Sequence, residues 1–387
     1  VSDATRRAFA PARPGAVIES GGRDRNAPAL RALLDCLARG LPIHASQAGI
    51  RAAGPEPAPV LCCQSSGSGG RVKTIRRSHG SWIASFEVNR ATFGLSARDC
   101  YGVLGELGHS LSLYATLEAL QLGARVAVLA GDGPRSQIAR LAAARVSVLY
   151  ATPTQLRRLL LAAGEARLPA VTHVFSGGGK LDAACRAGVA ALCPGAVVRE
   201  FYGASETSFI TIADAATPVG SVGRAYPEVS IRLGAGGRVF VASPYLFDGY
   251  AEADLPSPPR EDGHLGTGDI GMLDAAGHLF LRGRESRMVT VADRTLFLED
   301  IEAALTAAGA GVCAAVAVPD ALRGQAVVAI VEGGEDAARA ALLGRACRDA
   351  LGEHAGPRRV LFLPRLPALA SGKPDLAALA RMVGPAP

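Results

Sequence analysis

Residues 146–207 read VSVLYATPTQLRRLLLAAGEARLPAVTHVFSGGGKLDAACRAGVAALCPGAVVREFYGASET. Three short apolar runs, VSVLYA, THVFSG and VVREFYG, are separated by segments starting at Pro153 and Leu181 whose apolar residues recur at helical spacing. Strands joined by helices of this length need crossover connections, and crossovers build a parallel sheet. The same alternation continues toward the N-terminus. APVLCC, CYGVLGEL and ARVAVLA read as strands; helices are expected from about Ser81, over 111–122 and over 134–144. Residues 1–57 are rich in Pro, Gly and Arg, with one helical stretch over 30–41.

After Thr207 the texture changes. SIRL, RVFVAS, IGMLD and HLFLRG are short strands between Gly and Asp turns, the pattern of an antiparallel, β-rich subdomain. From Arg284 a third texture begins: a helix over 298–308, the strands CAAVAVP and AVVAIVE, a helix over 336–351 and the strand RRVLFLP. The fold class is therefore α/β. A large N-terminal domain (1–283) has a mostly parallel sheet plus the β-rich subdomain; a small α+β domain (284–387) follows.

Composition narrows the function. A chain of 387 residues, 49% hydrophobic and 20% charged, is not a disordered one. No apolar run approaches about 18 residues, so no membrane span is expected. VSDATRRAFAPARPG has no apolar core of a signal peptide. Eight cysteines without a C-x-x-C pair give little support to zinc or disulfides and suit buried thiols in a reducing cytoplasm. The net charge of +6 is spread along the chain with few aromatics, which argues against nucleic acid. Only three of 41 basic residues are lysines, Lys73, Lys180 and Lys373, and each sits in or beside a glycine string. A flexible point charge is wanted at such places.

Ser65, Ser66, Gly67, Ser68, Gly69, Gly70 and Lys73 form a loop after a buried strand and before a helical stretch. Glycines let backbone N–H groups turn inward, the serines add donors and Lys73 adds charge, which is phosphate-binding chemistry. Val72 stands where a Walker loop needs Gly, so a P-loop kinase or NTPase is disfavoured.

Five further strings follow in order: Ser176-Gly177-Gly178-Gly179-Lys180-Leu181, Tyr202-Gly203-Ala204-Ser205-Glu206, Thr267-Gly268-Asp269, Gly283-Arg284 and Ser371-Gly372-Lys373. With the glycine loop they resemble the adenylate-forming superfamily of acyl- and aryl-CoA synthetases, peptide-synthetase adenylation domains and luciferase. The resemblance covers roughly residues 58–382, with support from ATPTQLRRLL, GSVGRAYP, LFDGY and LEDIEAAL. It implies activation of a small carboxylic acid, aryl or fatty, by ATP and Mg2+ to an acyl-AMP. Transfer to a thiol of coenzyme A or of a carrier protein's phosphopantetheine follows, with the small domain rotating between the steps.

The resemblance also implies roles. The glycine loop would cradle the β- and γ-phosphates, although Gly69 and Val72 depart from the family pattern. Tyr202 would stack on adenine, with Gly203 beside it, and Gly178 and Gly179 would border the base. Lys180 is read two ways, as reaching the nucleotide or as the end of a surface helix. Ser205 would contact the α-phosphate, Glu206 would bind magnesium, and Asp269 and Arg284 would hold the ribose. Lys373 would bridge the acid and the α-phosphate. His109 falls beside the acid, and the pocket would draw on Ser110, Tyr114, Ser176 and Phe209.

Three departures come with the same resemblance. Only 64 residues precede Ser65, so the first subdomain is expected to be missing or shrunken, leaving the acid pocket more open or completed by a partner. Ser286 stands at the hinge in place of Asp or Lys. Asp293 stands where a glycine lines the thiol's tunnel. The alternatives are therefore adenylation with transfer to a non-thiol nucleophile such as an amine, or a catalytically impaired nucleotide-binding homologue.

Overall fold

The computed structural model describes residues 7–18, 25–54, 59–65, 72–291, 294–368 and 374–384. Ser66, Gly67, Ser68, Gly69, Gly70, Asp293 and Lys373 lie outside the described residues, and Ser65 is described only as a strand residue.

A parallel run of strands forms the centre: Val17–Ile18, Arg125–Val128, Cys100–Val103, Val148–Ala151, His173–Gly177 and Val197–Ala204, in that spatial order. Ser208–Ala213 and Arg224–Ala225 continue the sheet antiparallel. Successive strand residues face opposite ways, and the chain fills both faces. Val148 and Tyr150 enter one core with Tyr101, Val103, Val126 and Val128; Leu149 and Ala151 enter the other with Cys100, Ala127 and Val174. The helices His79–Phe93 and Ser110–Gln121 cover the first face with Trp82, Phe86, Leu113 and Leu117. Pro134–Ala143, Pro153–Ala163 and Ala183–Leu192 cover the second with Leu141, Leu159 and Val189. Thr152 and Gln155 cap the Pro153 helix reciprocally, and Asp182 caps the next.

A second sheet holds the glycine loop. Its order is Gly249–Tyr250, Lys73–Ser78, Val60–Ser65, Ile43–Ser46, Gly49–Ala52. The helix expected from about Ser81 begins at His79, but an unexpected strand stands before it: Lys73–Ser78 pairs antiparallel with Val60–Ser65, with Ser65 opposite Lys73. The loop thus connects the strands of a β-hairpin. The expected antiparallel subdomain is present as Ser230–Leu233, Arg238–Ala242, Arg260–Glu261, His264–Leu273 and Leu279–Arg284.

The small C-terminal domain has the sheet Cys313–Asp320, Gly324–Glu332, Arg359–Leu363. Val327, Ala329 and Val331 face Ile301, Leu305 and Leu343 of the helices Leu298–Ala307 and Ala337–Leu351. Ala326, Val328 and Ile330 face Leu379 of Leu376–Val383. The hairpin Met288–Val291 and Arg294–Phe297 adds Val289, Val291 and Leu296 to this core.

Candidate active site

Ligands of open α/β sheets bind beyond the carboxyl ends of parallel strands. At those ends lie Thr152, Gly177-Gly178 and Gly203–Glu206, and all of them line one cavity of about 590 Å³. Lys73 of the hairpin, Ser110 at the start of its helix, Arg284, and Pro374–Ala377 of the small domain line it too. The cavity is therefore built by both domains.

Each wall has a local cause. Val197–Ala204 turns back on itself through residues 205–207 into Ser208–Ala213. Gly203 allows this turn, because a Cβ there would overlap the Ser208 carbonyl. Ser208 takes a φ of +57°, rare for a residue with a side chain. Its hydroxyl is fixed by donors from Arg77 Nη1 (2.8 Å) and Trp82 Nε1 (3.1 Å). Arg77 also donates to the Ser205 carbonyl, to the Tyr245 carbonyl at 3.1 Å and to Ser81 Oγ at 3.3 Å. It is 0% exposed, and burial pulls its pKa below the usual arginine value.

Asp269 and Arg284 are opposite each other in the ladder of His264–Leu273 and Leu279–Arg284. Arg284 Nε lies 3.2 Å from Asp269 Oδ1, and the Tyr202 hydroxyl donates to Oδ2 at 2.5 Å. Burial and the adjoining carboxylate push the Tyr202 phenol far above its usual range. Tyr202 is thereby locked against Asp269, and this buried carboxylate has one hydrogen-bond donor and one ion-pair partner.

On the other side Tyr250 links two polar groups. Its hydroxyl donates to Glu206 Oε1 at 3.0 Å, and Lys73 Nζ donates to the same hydroxyl oxygen at 3.4 Å. Burial first and Glu206 second raise the Tyr250 pKa. Glu206 Oε2 has no hydrogen bond among the described residues. Ser205 Oγ and Ser110 Oγ are 3.2 Å apart at the cavity wall. No group of three or more His, Cys, Asp or Glu suited to a metal exists among the described residues. A single carboxylate beside a lysine fits a magnesium ion carried on phosphate oxygens, not a metal caged by protein.

Lys73, Gly178, Gly203, Ser205, Glu206 and Arg284 thus line the cavity, with Tyr202 and Asp269 immediately bonded to that wall. Ser110, Tyr114 and Phe209 line it as well. His109, Gly179, Lys180 and Ser176 do not. His109 precedes the Ser110 helix as its N-cap, Ser176 is fully buried, and Lys180 is exposed before the Ala183 helix. Pro374, next after Lys373, lines the cavity, and Ala368 and Pro374 form a bridge around residues 369–373. The sequence reading missed Arg77, Trp82 and Tyr250, and also Arg287. Arg287 holds Glu302 at 2.7 and 3.0 Å and Glu299 at 3.3 Å at the small-domain wall. Only the strings LFDGY and LEDIEAAL carried a signal for Tyr250, Glu299 and Glu302.

The chain matches the AMP-binding enzyme family over residues 23–251 and its C-terminal domain over residues 300–373. It is 32% identical over 322 residues to an uncharacterized acyl-CoA ligase, YhfT, of Bacillus subtilis, covering 80% of this chain and 65% of that protein. It is 27% identical to a 2-succinylbenzoate-CoA ligase of Enterococcus faecalis, covering 80% and 66%. The chain thus spans about two thirds of the length of these relatives. Among solved structures, ATP-bound MatB of Rhodopseudomonas palustris aligns with a TM-score of 0.73 at 24% identity, over 86% of this chain and 69% of that one. The amide bond synthetase McbA of Marinactinospora thermotolerans aligns with a TM-score of 0.71 at 26% identity, over 84% and 69%.

Proposed function

This chain belongs to the AMP-binding enzyme family, and on that footing we propose that it activates an aryl or fatty carboxylic acid with ATP. A carboxylate oxygen bonds to the α-phosphorus, the bridging P–O bond breaks, and pyrophosphate leaves. A thiol sulfur then bonds to the acyl carbon and loses its proton, and AMP departs. The thiol is that of coenzyme A or of carrier-protein phosphopantetheine.

The observation that carries this reading is one cavity with two kinds of recognition at its walls. Asp269, held by Arg284 and Tyr202 immediately behind the wall, is a fixed carboxylate suited to vicinal hydroxyls. At the wall, Lys73, Ser205 and Glu206 present a cation, a hydroxyl and a carboxylate suited to a polyphosphate with its magnesium. The magnesium would rest on Glu206 and neutralise charge on the phosphates. The glycine loop joining Ser65 to Lys73 closes the polyphosphate end in this reading. Gly178 leaves room for the adenine plane, and Gly203 lets the strand carrying Tyr202 turn back beside it. Lys373 acts on the α-phosphate; the position of Pro374 at the wall supports it.

We propose the domain boundary after Gly283, one residue before the paired strands end at Arg284 and ahead of the small-domain core, which begins at Val289. We place the reaction in the cytoplasm, which the buried cysteine thiols suit. Among the described residues no helix is long and apolar enough to cross a membrane. A second reading ends in an amide instead of a thioester. Asp293 in the expected thiol path and the likeness to an amide bond synthetase favour it.

The deciding experiment is carboxylate-dependent ATP–pyrophosphate exchange over aryl, fatty and amino acids, with products then identified in the presence of thiol and amine acceptors. Exchange with aryl or fatty acids is expected. Absence of exchange with every acid, in protein that binds ATP, overturns the reading.

A further inference from the structure

Activation of a carboxylic acid leaves that acid open between an aryl and a fatty one, and a choice between the two rests on the activation reading. One wall of the cavity is aromatic. Trp82, Tyr114, Phe201 and Phe209 line it, joined by Leu111. Trp82 and Tyr114 meet edge to face with centroids 5.2 Å apart, Tyr114 and Phe209 at 5.3 Å, and Phe201 and Phe209 at 4.7 Å. Such rings offer faces and edges to another ring and are arranged in the geometry aromatic groups prefer.

The wall is also fixed in place. The Trp82 indole donates to Ser208 Oγ at 3.1 Å, and the Arg77 guanidinium sits over its ring. The Tyr114 hydroxyl shares a 2.8 Å hydrogen bond with Ser85 and accepts one from Asn89 at 3.2 Å. Behind Tyr114, Asn89 and Tyr150 both bond Glu118, and Glu118 is 0% exposed. An alkyl chain pushed past Tyr114 would break bonds to a buried carboxyl group and leave polar atoms unpaired, which is costly.

We propose that the acid is a compact aromatic acid of one ring, and that Trp82 and Tyr114 set the limit on its length. A flat ring fills the aromatic wall. A long alkyl chain meets a closed hydrogen-bonded layer.

Trp82 is the only tryptophan of the chain, so its emission reports on this wall without labels. Titrations of the whole protein would use benzoate, phenylacetate, hexanoate and hexadecanoate, in parallel with pyrophosphate exchange. Saturable change in Trp82 emission with an aryl acid is expected. Exchange is expected to favour it over hexanoate by about tenfold or more in kcat/KM, the scale on which apolar pockets discriminate. Trp82→Phe keeps a ring in the wall and removes the emission signal.

Hexadecanoate that matches the aryl acids in exchange overturns the proposal. So does emission that aryl acids leave unmoved, whatever the exchange result. A saturable aryl-acid response without exchange from any acid would support the pocket assignment while removing the activation reading.

Discussion

Arg77 is a buried cation bonded to no carboxylate among the described residues. Burying a guanidinium costs several kcal/mol, and its bonds to carbonyl and hydroxyl oxygens offset that cost. Replacement by methionine of similar length removes the burial cost but leaves the Ser205 and Tyr245 carbonyls without this donor, at about 1–3 kcal/mol for each left unsatisfied. What it also removes is the anchor of the turn carrying Ser205 and Glu206. Displacement of reacting groups by about 1 Å can cost roughly 100-fold in rate. Arg77→Met is therefore expected to lower exchange turnover of the folded protein by about 10- to 100-fold, beyond any loss that a lowered unfolding midpoint explains. Arg77→Lys should not restore it, because one ammonium cannot reach acceptors contributed by three segments. Unchanged turnover with a lower midpoint would assign Arg77 to packing alone. Lys373 is the opposite case, a residue whose contribution is confined to the reaction. Lys373→Ala should cost about 100- to 1,000-fold in adenylate formation, the scale of a lost electrostatic contact to developing charge. ATP affinity, read by direct titration, should stay nearly unchanged; surviving exchange would remove the assigned role.

The helices His79–Phe93 and Ser110–Gln121 meet through polar residues as well as rings. Asn89 donates to Glu118 Oε1 at 2.7 Å, Tyr150 to Oε2 at 2.8 Å, and Tyr226 to Asn89 Oδ1 at 2.6 Å. Burial raises the Glu118 pKa from 4.5 to about 7, although the Asn89 and Tyr150 bonds oppose it. No lysine or arginine among the described residues bonds it to favour the carboxylate. A raised carboxyl pKa means the folded state binds the proton more tightly than the unfolded one. Its full stabilising contribution is present below about pH 4.5 and is lost as the pH rises toward 7. The loss amounts to roughly 3 kcal/mol over that window. Denaturant midpoints at pH 5 and pH 8 should show wild type losing stability relative to Glu118→Gln as the pH rises. A difference independent of pH would mean Glu118 holds one protonation state in both forms of the chain.

At the scale of elements most of the fold was legible, because alternation and helical spacing are local signals. Ile43–Ser46, Gly49–Ala52, Ser208–Ala213, the pair Met288–Val291 and Arg294–Phe297 and the helix Leu376–Val383 went unread, and so, beside the site, did Lys73–Ser78. Arg76 and Arg77 interrupt its apolar pattern, so the strand is masked and the sequence reads straight on into the helix. A buried arginine is legible only through its acceptors, and those of Arg77 lie as far as 168 residues away. Motif residues fared differently from pocket residues. Strings such as Tyr202–Glu206 carried their site in the sequence, whereas the aromatic wall is assembled from three distant segments, two helices and one hairpin. Tyr114 and Phe209 were named as pocket candidates without orientation, and Trp82 was not named.

At the scale of the whole molecule, the cavity needs both domains, and each step of the proposed reaction draws on a different part of the small one. Pro374–Ala377 already stand at the wall, which suits the adenylation step. The thiol step would draw instead on the hairpin of Met288–Val291 and Arg294–Phe297, between whose strands Asp293 falls in the sequence. Two arguments make Asp293 an obstacle there. Glycine at a tight approach leaves space for an incoming arm, and any side chain takes some of it. A carboxylate also repels an acceptor that carries phosphates. At an effective dielectric constant of about 20, two like charges 4 Å apart repel by about 4 kcal/mol. A tenfold effect needs only about 1.4 kcal/mol. Asp293→Gly should therefore raise thioester formation by about tenfold or more while pyrophosphate exchange stays constant, because the first step does not use this hairpin. Asp293→Asn separates the two causes, since it removes the charge and keeps the bulk. If Asp293→Gly leaves thioester yield unchanged while an amine acceptor is consumed, the hairpin is no barrier and the nucleophile is the amine.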